Sequence, residues 1–173
     1  ADYYKHLVIK YKNAGAHMIT VFEDVGGTGG LLINPATWRK LFKPILADVY
    51  KFIHEQGLYT GILIDGNSGP ILEEMQELGV DVFSVVDYQT TGLELIREKL
   101  KGKICINAAV DMQHTLPTGT PEEVEREAKM LHEAFNSPEG GFISTVVRWH
   151  RPQYPAENVA ASVRGFNAYR PSG

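Results

Sequence analysis

Polar side chains that could share one reaction site follow short apolar runs along the chain: Glu23 and Asp24, Asp65 and Asn67, Asp87, Asn107 and Asp111, then Arg148 and His150. Carboxylates gathered in one mouth disfavour each other's ionised form unless cations or hydrogen-bond donors satisfy them. Such a ring suits holding the N–H groups of a heterocycle, holding a divalent metal, or moving a proton. Asp24 and Asp65 are the expected catalytic carboxylates, with Glu23, Asn67, Asp87, Asn107, Asp111, Arg148 and His150 expected to bind substrate. Arg148, His150 and Arg151 form a cationic cluster that could grip a carboxylate or phosphate, with Trp149 between them to stack on a planar ring. The competing reading is local: a strand-end aspartate caps loops and helix N-termini, and a charged loop is simply solvated.

These residues need elements to carry them. Five apolar runs rich in β-branched residues, 18–24, 61–65, 82–87, 103–107 and 141–147, read as strands. They are apolar at successive positions, the pattern of a parallel sheet covered on both faces. Helical patterns fill the gaps. Asn34 and Pro35 supply an N-cap and first-turn proline for a helix reaching about residue 56, stopped by Gly57 and kinked at Pro44. Thr120 and Glu123 make a capping box for a helix to 135, and further helices are expected over 2–13, 70–78, 92–100 and 155–169. The order α then (βα)5 predicts an α/β fold with a parallel sheet in one domain, for which a barrel is the first candidate. In such a barrel the C-terminal strand ends converge, so the polar residues there become the site candidates. A doubly wound sheet is the rival. No strand leads into a G-x-G-x-x-G turn, and the glycine run 26–30 sits in a long loop, as a flexible connector or a mobile cover of the site.

Composition narrows the function classes. With 43% hydrophobic and 22% charged residues, a net charge of -4 and a pI near 5.9, the chain has globular composition and no basic stripe for nucleic acid. A single cysteine, Cys105, forms no internal disulfide, and no apolar run reaches the roughly 18 residues of a membrane span. A cytoplasmic location is expected, and the start at Ala1 is expected to fall inside a longer protein. No His-x3-His or Cys-x2-Cys spacing occurs, so no structural zinc is expected, and mid-strand Cys105 reads as an inert thiol. His54 and His132, on helices, read as solvated or packed, and His6 and His17 flank the first strand without acidic partners at metal spacing; His114, just past Asp111, is the reserve acid or base.

An ordered set of segments resembles the second half of the uroporphyrinogen decarboxylase superfamily. They are Ala14-Gly15-Ala16 before Thr20-Val21-Phe22-Glu23-Asp24, Asn34-Pro35-Ala36-Thr37-Trp38 with Lys43-Pro44, Asp65-Gly66-Asn67, Gly79-Val80-Asp81, Asn107-Ala108-Ala109-Val110-Asp111 and Pro155-Ala156-Glu157-Asn158-Val159. The resemblance implies a TIM (β/α)8 barrel, of which this chain, as one partial domain over 1–173, supplies about the last five βα units, the family's N-terminal part with its arginine-rich substrate segment having no counterpart here. Relatives that move methyl groups between corrinoids and thiols hold zinc with a His-x-Cys where this chain has Leu63-Ile64-Asp65, so no zinc at Asp65 is expected. Decarboxylases resemble one another in a His-Gly pair after the last strand, where this chain reads Val147-Arg148-Trp149-His150-Arg151. A diverged member is therefore expected: a tetrapyrrole carboxy-lyase needing no cofactor, or a zinc-independent methyltransferase linked to a corrinoid or tetrahydrofolate, or a non-catalytic binding subunit. Its expected partner is a small molecule, with a homodimer or the missing N-terminal half of the barrel completing the fold.

Overall fold

The computed structural model describes residues 1–146 and 153–168, so Arg148 and His150 lie outside the described residues, as does the end of the last predicted strand. Helix α1 (Asp2–Asn13) precedes strand β1 (Met18–Glu23), and a small hairpin follows, β2 (Gly26–Gly27) against β3 (Gly30–Leu31). Then come α2 (Pro35–Leu41), α3 (Lys43–Glu55), β4 (Tyr59–Ile64), α4 (Leu72–Glu77), β5 (Val82–Val85), α5 (Tyr88–Thr91) and α6 (Leu93–Leu100). The chain continues through β6 (Cys105–Ala108), α7 (Thr115–Thr118), α8 (Pro121–Phe135), β7 (Phe142–Ser144) and α9 (Ala156–Asn167). The main sheet has the order β1-β4-β5-β6-β7, each neighbouring pair parallel. This is the sequential order of a barrel arc, and among the described residues β1 and β7 are its open edges.

The predicted helix over 35–56 is two helices. Phe42 ends α2, and Pro44 falls in the first turn of α3, where its missing N–H leaves no bond unmade. The capping box at Thr120 forms as expected, its hydroxyl accepting from the Glu123 amide while Glu123 accepts from the Thr120 amide. The glycine-rich loop contains the β2–β3 hairpin, and α5 and α7 are short helices inside the loops after β5 and β6. The sequence reading did not anticipate these three pieces.

Strand register separates two faces. Thr60, Ile62 and Ile64 on β4 align with Phe83 and Val85 on β5 and with Ile106 and Ala108 on β6, all buried under the helices. The alternate positions face the inside of the arc. At its centre Leu63, Val82 and Ser84 are buried, whereas Phe22 on β1 and Tyr59 at the start of β4 are 65% and 64% exposed. One face is thus a finished core and the other half of one. Among the described residues no helix is long and apolar enough to cross a membrane.

At the N-terminal end of the strands, Asp81 joins β4, β5 and α3. Its carboxylate accepts from the Thr60 amide at 2.7 Å and lies 2.9 Å from His54 Nε2. Burial alone would raise this carboxyl, but the Thr60 amide, His54 and the Thr60 hydroxyl together hold it below the usual aspartate range. A depressed carboxyl contributes stability that is present above its unfolded pKa, about 3.9, and is lost as pH falls through the lower folded value. Acid unfolding followed by circular dichroism should therefore steepen below about pH 4, and Asp81→Asn should flatten that limb. An unchanged acid limb in the variant would contradict the assignment.

Candidate functional site

The loops after β4, β5 and β6 meet at the C-terminal end of the sheet, and each brings one carboxylate. Asp65 follows β4, Asp87 follows β5 and Asp111 follows β6. They line two adjoining clefts of about 430 and 520 Å³ that share Asp65, Asp87, Asp111 and Gln113. The first adds Tyr88, Met112, Gln153 and Tyr154; the second adds Gly26, Gly27 and Thr28 of the hairpin together with His114. The clefts are the mouth that a barrel topology requires at this end.

Each carboxylate is held differently. Asp65 is exposed, and its Oδ1 accepts from the Gly66 amide at 2.8 Å. Asp87 is the N-cap of α5, accepting from the Thr90 amide at 3.0 Å and from the Thr90 hydroxyl, while Gln113 reaches it across the cleft at 3.3 Å. Asp111 accepts through Oδ1 from the Gln113 and His114 amides, at 2.7 and 3.1 Å, and its Oδ2 lies 2.8 Å from His114 Nδ1. Asp87 and Asp111 therefore cap local backbone and also line the clefts.

The hairpin is seated on the Asp65 loop through glycines. The Asn67 amide donates to Gly27 O at 2.9 Å, and a Cβ on Gly26 would lie 1.9 Å from the Asp65 carbonyl oxygen. Gly66 takes φ +72°, a left-handed conformation that glycine adopts without strain. Both glycines are required for the contact.

Other expected site residues are placed elsewhere. Glu23 lies at the end of β1 in register with buried Ile64, on the helix side, near Trp38 and Tyr50. Burial pushes its carboxyl up, and the nearby Trp38 side chain, whose Nε1 makes no hydrogen bond among the described residues, opposes this only in part. Asp24 is exposed and lines neither cleft. The Asn67 side chain accepts from the Gly69 amide at 2.9 Å, which opens the turn into α4. Asn107 sits lower on β6, in register with Ser84 and Ile143, and accepts from the Thr145 hydroxyl at 2.7 Å. Burial pushes the Cys105 thiol up. Among the described residues no three His, Cys, Asp or Glu side chains come together as a metal would need.

Sequence reasoning did not single out Gln113, Tyr154, Tyr88 or Glu127. Tyr154 donates to Met112 O at 3.2 Å, and buried Asn158 of α9 donates to Leu116 O and Gly119 O, so the loop after β6 is fixed along its length. Glu127 carried a readable signal: it stands on α8 in the stripe of Val124, Ala128 and Leu131, where a charged residue must find a partner.

A sequence model of the family described as "Uroporphyrinogen decarboxylase (URO-D)" matches residues 1–169. Among solved structures, a methyltransferase from Methanosarcina mazei is similar, with a TM-score of 0.72 and 22% sequence identity, over 95% of this chain and 47% of that one. The chain thus spans about half the length of this structural relative. A search of curated proteins finds no match.

Proposed function

Starting from the fact that the chain belongs to the uroporphyrinogen decarboxylase family, we propose that residues 1–173 supply the C-terminal part of a barrel enzyme acting as a tetrapyrrole carboxy-lyase. The observation that carries this reading is the meeting of Asp65, Asp87 and Asp111, from three successive strands, at one pair of clefts. Such acceptors suit the N–H groups of a pyrrole. When CO2 leaves a pyrrole acetate arm, the electron pair of the broken C–C bond is held by the ring and then takes up a proton, so no cofactor is required. The protein must bind the N–H groups, exclude water and deliver that proton. In this reading Asp65 serves the reacting ring, Asp24 having no place in either cleft, and Arg148 and His150, outside the described residues, hold carboxylate arms.

One observation favours a second reading. The described residues lining the two clefts include no lysine or arginine, whereas a tetrapyrrole brings several carboxylates. A pterin brings N–H donors with fewer charges, so methyl transfer linked to tetrahydrofolate or a corrinoid fits the same acceptors. Zinc does not fit this place: Leu63 is buried and apolar, and Asp65 offers a hard oxygen in place of a thiolate. In either reading the open edges β1 and β7 are closed by further barrel strands, from the same polypeptide or from another chain.

The test measures CO2 release from uroporphyrinogen and methyl transfer from methyltetrahydrofolate to a reduced corrinoid with the purified protein, in a reducing, cytoplasm-like buffer. Carboxy-lyase activity predicts CO2 release alone. Methyl transfer alone would replace the first reading by the second, and binding of either compound without turnover would mark a non-catalytic subunit.

A further inference from the structure

We propose that Glu127 is a positioning residue, the buried anchor that orients an Asp111–His114 acid–base pair at the rim of the cleft. Glu127 is only 9% exposed, and a buried carboxylate is costly unless its oxygens accept hydrogen bonds. Its Oε1 accepts two, from the Tyr88 hydroxyl at 2.7 Å and from the Asp111 amide at 2.6 Å. Tyr88 belongs to α5 after β5, and Asp111 to the loop after β6. One carboxylate oxygen on α8 thus ties two site loops together. The Tyr88 hydroxyl stays a donor, since burial and then the neighbouring Glu127 push its pKa up.

With its amide anchored, Asp111 presents Oδ2 to His114 Nδ1 at 2.8 Å. A carboxylate can only accept, so this contact puts the imidazole proton on Nδ1 and leaves the Nε2 lone pair outward. The His114 side chain is 75% exposed, it lines the second cleft, and its Nε2 makes no hydrogen bond among the described residues. A carboxylate that fixes ring orientation and tautomer is how proteins prepare a histidine to take or give a proton. The use of His114 on a substrate rests on the reading of this cleft as the substrate site; the anchoring geometry does not.

The experiment therefore uses no substrate. Nitrogen NMR of 15N-histidine-labelled protein, at a pH where imidazoles are neutral, reads the tautomer of His114, whose signal His114→Gln identifies by its loss. The wild type should show the Nδ1–H form. Glu127→Gln retains a carbonyl acceptor and should keep it, whereas Glu127→Leu should shift His114 to a mixture of tautomers. Hydrogen exchange on the wild type gives an independent reading if Glu127→Leu does not fold: the Asp111 amide should exchange far more slowly than that of Gly29 in the hairpin turn. An Nε2–H form in the wild type, an unchanged tautomer in folded Glu127→Leu, or a fast Asp111 amide would each overturn the proposal. Failure of both turnover assays would leave these signatures intact, and their loss would leave the turnover assays unaffected as tests of the cleft.

Discussion

Gly26→Ala should unseat the hairpin from the mouth, lowering both stability and ligand affinity. A Cβ at this position would lie 1.9 Å from the Asp65 carbonyl oxygen and 3.0 Å from the Gly66 carbonyl carbon, so backbone has to move. The opposing glycine offers no relief, since a Cβ on Gly66 would meet the Gly26 carbonyl carbon at 2.7 Å. Overpacking of this kind costs about 1–3 kcal/mol. Its functional effect should be larger, because Gly26, Gly27 and Thr28 line the same cleft as Asp65 and Asp87. Moving them opens that wall and lets water compete for the carboxylates. Gly29→Ala is the control: a Cβ there meets nothing within 4 Å. Denaturant unfolding and tetrapyrrole binding of the two variants should diverge sharply. Equal behaviour would mean that the hairpin does not hold the Asp65 loop in place.

The elements that position the site were legible because buried parallel strands write themselves as unbroken apolar runs. The runs 61–65 and 82–87 end one and two positions beyond the observed strands, on the aspartates of the following loops, whereas 103–107 ends one position inside its strand, on Asn107. The same property hid which face each residue takes. In β1 both alternations are mostly apolar, Ile19 and Val21 on one side and Met18 and Phe22 on the other, so nothing in the run tells that Glu23 turns toward Trp38 and Tyr50. Register against β4 decides it, and register is a tertiary fact. The helix α5 was hidden for the opposite reason. Its N-cap signal, Asp87 three residues before Thr90, is local, but four residues are too few to show a helical period. The hairpin could not be read at all, because it depends on two glycines 40 positions apart in sequence, Gly26 and Gly66, meeting in space.

Asp65→Asn should leave the fold intact and remove most of the activity. Asp65 is exposed, and its one hydrogen bond among the described residues, to the Gly66 amide, is one that an asparagine oxygen reproduces. The substitution therefore keeps shape and removes a charge at the point where both clefts meet. Acid–base and charge-stabilising groups in such mouths contribute about 10²–10⁴-fold to turnover, and a loss in that range is expected in kcat/KM. Asp87→Ala provides the contrast, since it removes the N-cap of α5 and should cost about 1 kcal/mol of stability in addition to any catalytic effect. Thermal unfolding and turnover measured on both variants separate the roles. If Asp65→Asn unfolds several degrees early while binding and turnover hold, the carboxylate is a loop cap, and the chemistry must be assigned to Asp111 and His114 in the loop after β6.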